Sequence, residues 1–257
     1  MKRRDFLQAS AVAGCFVASP SLAATEGVGS PREYYEWRTY QVDPAQQKVV
    51  VEYLEKAALP AWQKLRIGPV GVFTETPPST GSAVHVLIPY KTLEVFAEAR
   101  TALENDAEYQ RAAAGYLAAI MKEPAFQRIE SSLMVAFTGM PQLAVPERKP
   151  RVFELREYQS HSETKARAKI EMFNHGEIPI FPEVGFENVF FGETLIGSRI
   201  PNLKYMLCAE SVEANKANFE KFKVEPHWLA MRDLPEYAET VSGVVQTYLV
   251  PTDFSQV

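Results

Sequence analysis

The pattern of apolar and polar residues repeats one short phrase along the chain. Residues 35–40 read YEWRTY and residues 153–158 read FELREY. Both copies follow the order apolar–Glu–apolar–Arg–x–Tyr, and alternation of this kind is typical of a β-strand with one face on a core. Each copy is therefore expected to be the first strand of a structural unit.

The residues after the first copy predict the rest of one unit. Its further elements are predicted as a helix at residues 46–65, strands at 70–76 and 83–88, a helical region at 92–121 and a strand at 131–137. Asp43 and Pro44 are typical of a helix start, and Pro60 is expected to kink the first helix. The predicted order is β-α-β-β-α-β.

The second copy is followed by the same order of elements. They are predicted as helices at residues 162–173 and 212–222 and strands at 185–193, 203–209 and 244–250. A βαββαβ unit of the ferredoxin-like type has a four-stranded antiparallel sheet with both helices on one face. The fold prediction is α+β, with two tandem ferredoxin-like units whose antiparallel sheets pack face to face.

Composition shifts along the chain give the predicted boundaries. The two units are assigned to residues 33–140 and 151–251, and a proline-rich, charged stretch at residues 141–150 is expected to link them. Residues 25–32 are predicted to be a flexible lead-in and residues 252–257 a tail.

Residues 1–24 have the pattern of an export signal, with a basic start, an apolar run and small residues before a cleavage point near Ala23 and Ala24. Arg3 and Arg4 are followed by Asp-Phe-Leu, which is typical of twin-arginine signals. We therefore predict twin-arginine export to the periplasm or another extracytoplasmic site. An ordinary secretory signal and a lipid anchor on Cys15 are the alternatives.

Composition narrows the classes of partner. The chain of 257 residues is 46% hydrophobic and 23% charged, with a formal net charge of −5. Nucleic acid is not expected as a partner, because no basic excess is present to neutralise phosphates. No transmembrane segment is predicted in the mature chain, and with four histidines no metal site is expected.

Strand parity indicates where a ligand site would lie. Six polar side chains share one face within their strands: Glu36, Arg38, Tyr40, Glu154, Arg156 and Tyr158. The more apolar face, with Trp37 and Leu155, is expected to pack under the helices. The polar face of each unit is then expected to meet the other unit, and we predict an arginine-bearing interior between the sheets.

Two interpretations of this polar face remain open. In one, the glutamate and arginine of each copy pair with each other, because buried charges require partners. In the other, Arg38 or Arg156 binds a carboxylate or similar anion, with the neighbouring tyrosine as hydrogen-bond donor or acid.

His85, on the predicted third strand, is a further candidate. It is expected to point into the same interior as the arginines, as a base, a haem ligand or a hydrogen-bonded strand residue. In the second copy, Lys204 or Tyr205 stands in its place, which weakens a two-site haem hypothesis. No cofactor is predicted, and haem is kept only as an alternative.

These motifs together resemble the NIPSNAP family. The resemblance rests on the repeated Glu-(Trp/Leu)-Arg-x-Tyr phrase, on His85 within VHVL before Tyr90, and on the acidic–aromatic segments at residues 108–109 and 225–228. It is similar in particular to exported bacterial members and covers nearly all of residues 33–250. It implies an intrachain dimeric α+β barrel, a fold shared by cofactor-free monooxygenases, dehydratase-like proteins and haem proteins. The family offers no settled catalytic residues to carry over.

The leading functional hypothesis is an exported protein that binds, and in one version transforms, an unknown small molecule between the two sheets. The alternatives are a non-catalytic interaction module of the cell envelope, with a fully packed interior, and a haem-binding protein. Whether the chain is an enzyme stays open, as does assembly into a homo-oligomer. A cavity of roughly 300 Å³ or more between the sheets would favour the first hypothesis.

Overall fold

A computed structural model describes residues 31–79 and 81–257. The predictions for Arg3, Arg4, Cys15 and the cleavage point lie outside these residues. No helix in the described ranges is long and apolar enough to cross a membrane.

The first unit contains four strands and a series of helices. They are β1 (Tyr34–Gln41), α1 (Pro44–Tyr53), a π-helix (Leu54–Ala58), α2 (Leu59–Lys64), β2 (Gly71–Glu75), β3 (Val84–Tyr90), α3 (Leu93–Asn105), α4 (Ala107–Ala112), α5 (Ala114–Leu117) and β4 (Arg128–Ala136). Asp43 caps α1 with a capping box: its side chain accepts from the backbone N–H of Gln46, and its own backbone N–H donates to the side-chain oxygen of Gln46.

The second unit repeats this order. Its elements are β5 (Val152–Gln159), α6 (Glu163–Met172), a π-helix (Phe173–Glu177), α7 (Ile178–Glu183), β6 (Glu187–Ile196), β7 (Asn202–Ala209), α8 (Val212–Lys223), α9 (Pro226–Arg232), a 3₁₀ turn (Pro235–Tyr237) and β8 (Gly243–Pro251). The predicted order of elements in both units is confirmed. The predicted kink at Pro60 takes the form of a π-helical turn just before it, and Pro179 follows the matching turn in the second unit.

The two sheets form one closed antiparallel barrel with the strand order β1-β3-β2-β8-β5-β7-β6-β4. Within each unit the strands pair as a ferredoxin-like sheet. The units join where β2 pairs with β8 and where β4 pairs with β6. The prediction of two tandem units that form an intrachain α+β barrel is confirmed, and closure leaves neither sheet with an open edge.

Both faces of the barrel wall are covered. The interior holds an apolar cluster drawn from both units: Tyr35, Trp37, Phe73, Leu87, Met134, Ala136, Phe153, Leu155, Val189, Phe190, Met206, Cys208, Leu249 and Val257. Outside, the helices of each unit pack a separate core onto their own half of the wall. Each strand therefore has an interior face and a helix-covered face. Each face is at least partly shielded from solvent.

The last six residues, assigned above to a tail, pack into the barrel. The Val72 amide donates to Ser255 Oγ at 3.0 Å, and the Val70 amide donates to Gln256 Oε1 at 2.7 Å. Val257 is fully buried among the interior residues. This segment closes the apolar end of the barrel, so ligand access has to be sought at the other end.

Candidate functional site

A cavity of about 740 Å³ opens at the end of the barrel where the interior turns polar. Along β1 the interior residues change from Tyr35 and Trp37 to Thr39 and Gln41, and β5 shows a similar change from Leu155 to Glu157. We call this space the barrel-mouth cavity. It is lined by Trp37, Thr39, Gln41, His85, Glu130, Ser131, Ser132, Leu155, Glu157, Gly197, Ser198, Arg199, Lys204, Val245 and Thr247.

The floor of the cavity is apolar. Trp37 is 5% exposed, and its ring stacks at 6.2 Å on Phe73 and at 6.3 Å on Phe190 of the second unit. Leu155 lies at the equivalent place on β5. A flat aromatic surface under polar walls suits an organic ligand with an apolar body and a few polar groups.

One wall of the cavity carries His85. Its Nδ1 lies 3.2 Å from Thr39 Oγ1, its Nε2 lies 3.2 Å from Glu75 Oε1, and its ring packs 5.6 Å from Trp37. The hydrogen bond with His85 lowers the pKa of Glu75; burial opposes this change, and a hydrogen bond from the Gly81 amide adds to it. A carboxylate that holds one ring nitrogen orients the imidazole for proton transfer.

The opposite wall carries Lys204 and Glu157. Lys204 Nζ donates to Glu157 Oε2, and the same carboxylate accepts from Arg199 Nε at 2.9 Å and from Gln159 Nε2 at 2.8 Å. Burial opposes the charge of Glu157, but these donors outweigh it and hold its pKa below the ordinary value. Burial lowers the pKa of Lys204, and its bond with Glu157 does not offset this. The wall therefore presents an amine that gives up its proton more readily than a surface lysine.

Arg199 reaches Glu157 from the loop between β6 and β7. Its backbone lies in the left-handed region, with φ of 57°, which a residue other than glycine adopts rarely. The guanidinium also contacts Glu157 Oε2 through Nη2 at 3.2 Å. Rare backbone conformations of this kind cluster at ligand-binding and active sites, and here the backbone positions Arg199 for a two-point contact with Glu157.

His85 and Lys204 occupy equivalent positions in the two units. His85 stands opposite Thr39 in the β1–β3 register, and Lys204 stands opposite Glu157 in the β5–β7 register. Thr39 and Glu157 are the same variable position of the repeated phrase. The repeat thus places two different polar pairs around one cavity, and Lys204, not Tyr205, is the counterpart of His85.

The predicted orientation of the polar strand face is wrong. Trp37 and Leu155 point into the barrel, whereas Glu36, Arg38 and Tyr40, like Glu154, Arg156 and Tyr158, lie on the helix-covered face. The helices supply aromatic platforms there, with Arg38 5.8 Å from the Trp62 ring centroid and Arg156 3.6 Å from that of Phe219. His85 does point inward as predicted, but it does not share the interior with the arginines.

On the helix-covered face, the glutamate and arginine of each copy pair with each other. Arg38 binds Glu36 through two nitrogens at 2.9 Å, and Glu36 also accepts from Tyr90 at 3.0 Å and from Ser131 at 2.8 Å. Arg38 Nη1 reaches the Tyr40 hydroxyl at 3.5 Å. The interpretation as mutually satisfied charges describes this geometry.

The second copy has fewer donors around its glutamate. Arg156 Nε donates to Glu154 Oε1 at 2.8 Å, and Arg156 Nη1 reaches the Tyr158 hydroxyl at 3.3 Å. Glu154 is fully buried, and its Oε2 has no hydrogen-bond partner among the described residues. Burial opposes the charge of Arg156, but the Tyr205 and Tyr158 hydroxyls and Glu154 outweigh it and raise the pKa of Arg156.

Haem does not fit His85 as the structure places it. Both ring nitrogens are engaged, one by Thr39 and one by Glu75, so iron ligation would require one of these bonds to break. We derive no chemistry through a haem group.

One cluster of potential metal ligands occurs within the described ranges, formed by Glu183, Glu225 and His227 near the start of α9. Glu225 caps this helix by accepting from the Trp228 amide at 2.7 Å and contacts His227 Nδ1 at 2.8 Å. These bonds occupy both carboxylate oxygens of Glu225, so we assign Glu225 and His227 to the capping of α9.

The sequence prediction did not name Thr39, Glu157 or Arg199 as site residues, and it gave Lys204 only as one of two possible counterparts of His85. Glu157 and Thr39 carry the one signal that was available, because they differ at the same variable position of an otherwise matching phrase. Arg199 carried no such signal, since a loop residue has no periodicity that shows where it points.

Comparison with known proteins agrees with this architecture. The NIPSNAP family model matches residues 35–138 and again residues 153–256. A suspected monooxygenase from Lactobacillus acidophilus is 9% identical, with a TM-score of 0.58 over 86% of this chain and 94% of its own. A suspected monooxygenase from Fusobacterium nucleatum is 8% identical, with a TM-score of 0.57 over 86% and 93%. Both likenesses concern the fold alone.

A NIPSNAP family protein from Agrobacterium tumefaciens is 21% identical over 41% of this chain and 96% of its own, with a TM-score of 0.36. Among curated proteins, no sequence matches. The family model covers most of the chain and matches once in each half of the barrel. The chain therefore belongs to the NIPSNAP family and carries two copies of its domain in tandem.

Proposed function

We propose that the barrel-mouth cavity binds a small organic molecule and that His85 and Lys204 are the polar groups that act on it. The observation that carries the proposal is a cavity of about 740 Å³ with these two side chains at equivalent positions of its opposite walls. Ligand sites span roughly 300–1,000 Å³, so the space suits a molecule of metabolite size. An interaction module with a fully packed interior would have no such space.

The walls allow acid–base chemistry on the bound molecule. Glu75 holds one ring nitrogen of His85, and the other contacts the Thr39 hydroxyl, which lines the cavity; a ligand that replaces this hydroxyl can exchange a proton with the imidazole. The Lys204 amine lies on the other side of the Trp37 floor. Burial of the wall groups strengthens their interactions with a ligand. The suspected monooxygenases that share the fold support a small organic substrate, and no oxygen chemistry is assigned to this chain.

A cavity-filling variant tests the proposal. Thr247 lines the cavity and stands opposite Leu155 in the β5–β8 register, so Thr247→Trp fills the space above the floor. We expect the small molecule that co-purifies with the chain, detected by native mass spectrometry of protein from its own cells, to be lost. Affinity for that molecule should fall by about tenfold or more, about 1.4 kcal/mol.

Thr247→Val is the matched control, because it keeps the shape of the side chain and removes only the hydroxyl. Its affinity should stay within about threefold of the original. Equal retention of the molecule by Thr247→Trp would overturn the site. So would the failure of the unaltered chain to retain or bind any member of a metabolite library.

We also propose that the chain works outside the cytoplasm after twin-arginine export, a proposal supported by Arg3, Arg4 and the small residues before Ala24. Replacing both arginines with lysine keeps the charge and should stop export, so the uncleaved precursor stays in the cytoplasm. Fractionation followed by mass measurement of the N-terminus checks this. Lys2→Gln is the control, and normal export of the double lysine variant would contradict the twin-arginine route.

A further inference from the structure

The cavity holds a lysine in an unusual setting. The Lys204 side chain is 6% exposed, yet it lines the barrel-mouth cavity, so its amine is shielded from bulk water and faces the ligand space. A buried lysine that only neutralises a carboxylate needs no open space beside it.

A second lysine shows that contrast. Lys169 is also buried and paired with a glutamate, Glu177, but it lies on the helix-covered face. Aromatic rings enclose it, with Phe173 at 4.8 Å and Trp228 at 5.5 Å from Nζ. Lys169 is therefore a structural lysine, and it supplies an internal control for Lys204.

The partner of Lys204 is held in place by other groups. Glu157 accepts two bonds from Arg199 and one from Gln159 besides the one from Lys204. The carboxylate therefore keeps its position and partners if the amine turns away. Arg199 also lowers the pKa of Lys204, in addition to the larger effect of burial.

We propose that Lys204 is the nucleophilic amine of this site and that it forms an imine with a small aldehyde or ketone seated on Trp37. This inference rests on the proposed function, because the carbonyl compound has to enter the same cavity. The neutral form of an amine attacks carbonyl carbon, whereas the protonated form does not.

The Lys204 ammonium loses a proton to solvent at the open cavity mouth, and its nitrogen lone pair attacks the carbonyl carbon while the C=O π electrons move to oxygen. The nitrogen loses a second proton to that oxygen, which gives a carbinolamine. The hydroxyl takes up a proton from solvent and leaves as water as the C=N bond forms, and the Glu157 carboxylate faces the positive charge of the protonated imine. The sum is ammonium plus carbonyl giving protonated imine plus water.

Reductive trapping on the full chain tests this step, with benzaldehyde as the probe and sodium cyanoborohydride as the reductant. Peptide mapping by mass spectrometry gives the rate of modification at each lysine. Lys204 should be modified at least about fivefold faster than exposed Lys91 and buried Lys169 at neutral pH. As the pH is raised, the rate of modification at Lys204 should begin to increase at a lower pH than the rate at Lys91, because burial lowers the pKa of Lys204.

Two variants sharpen the result. Lys204→Arg keeps a positive partner for Glu157 and should remove the fast modification, whereas Lys169→Arg should leave it unchanged. The site map of the unaltered chain decides the question even if the Lys204 variant does not fold. Modification of Lys204 no faster than Lys91 would overturn the inference.

Binding is measured separately from imine formation. Benzaldehyde is titrated without reductant against Trp37 fluorescence, in a chain with Trp62→Phe and Trp228→Phe. Quenching of Trp37 fluorescence together with slow modification of Lys204 would contradict the role of Lys204 as nucleophile but would still support the proposed function. Fast, selective modification of Lys204 supports both.

Discussion

Replacing Arg156 with methionine is expected to lower the free energy of unfolding by about 3–5 kcal/mol. Glu154 is fully buried, and among the described residues its carboxylate accepts a hydrogen bond from Arg156 alone. Methionine keeps much of the length of the arginine side chain but loses the contact of the guanidinium group with the Phe219 ring. The expected loss therefore combines this contact with the larger cost of leaving a buried carboxylate without its partner.

The first unit offers a matched control. Arg38→Met removes the equivalent arginine, but Glu36 keeps the hydroxyl donors of Tyr90 and Ser131. The loss should be smaller, about 1.5–3 kcal/mol, the range for a hydrogen bond to a charged group. Urea unfolding followed by circular dichroism measures both variants under the same conditions. Equal losses of unfolding free energy in the two variants would show that Tyr90 and Ser131 do not stabilise the Glu36 carboxylate.

A double variant identifies the cause of the loss. Glu154→Gln combined with Arg156→Met removes the stranded charge, so it should regain at least about 1 kcal/mol over Arg156→Met alone. The affinity of the barrel-mouth cavity for its ligand should change little in these variants, because Arg156 lies on the other face of the wall. A large loss of affinity with intact stability would instead support the interpretation of Arg156 as an anion-binding residue.

The repeat and the order of elements could be predicted because both depend on local periodicity. The alternation in residues 35–40 and 153–158 shows which side chains share a face, and the spacing of apolar residues shows where the helices run. Closure into one barrel needed more than periodicity. It depends on the β2–β8 and β4–β6 pairings between distant segments, which resemblance to a known fold suggested and the structure shows.

The direction of each face could not be predicted from alternation alone. In an open sheet one face meets water, so the apolar face is the buried one. In this barrel, both faces are covered, and the apolar residues at Trp37 and Leu155 go to the interior. The arginines are tolerated under the helices because Trp62 and Phe219, far away in the sequence, provide flat surfaces for their guanidinium groups.

The candidate site was predictable only in part, for the same reason. His85 was identified from its residue type on a strand, and its inward direction follows from pairing with Thr39. The sequence left open whether Lys204 or Tyr205 is the counterpart of His85, because a one-residue change of register exchanges the two faces of a strand. The β6–β7 pairing carries such an irregularity near Asn188, which the sequence does not show.

Replacing Trp37 with alanine is the second large effect, with an expected loss of about 3–5 kcal/mol in the free energy of unfolding. Trp37 lies between the apolar core and the cavity, and it stacks on Phe73 of its own unit and Phe190 of the other. Its removal therefore weakens the contact between the two units and the support of the His85 ring. If water enters the space from the cavity, the loss should fall toward the lower end of this range.

Trp228→Ala is the control for removing an indole ring. Trp228 is only half-buried; it packs on Phe222 and near Lys169 of the second unit, and among the described residues it stacks on no ring of the first unit. Trp228→Ala should lower the free energy of unfolding by about 1–2 kcal/mol, and Trp37→Phe should recover more than half of the Trp37→Ala loss.

Urea unfolding measures the stability of these variants. Ligand titration of the folded variants measures how much the Trp37 floor contributes to ligand affinity. If Trp37 packed under the helices of one unit instead, Trp37→Ala would destabilise the chain without changing ligand affinity. Loss of both together is the result that places the indole ring at the junction of core and cavity.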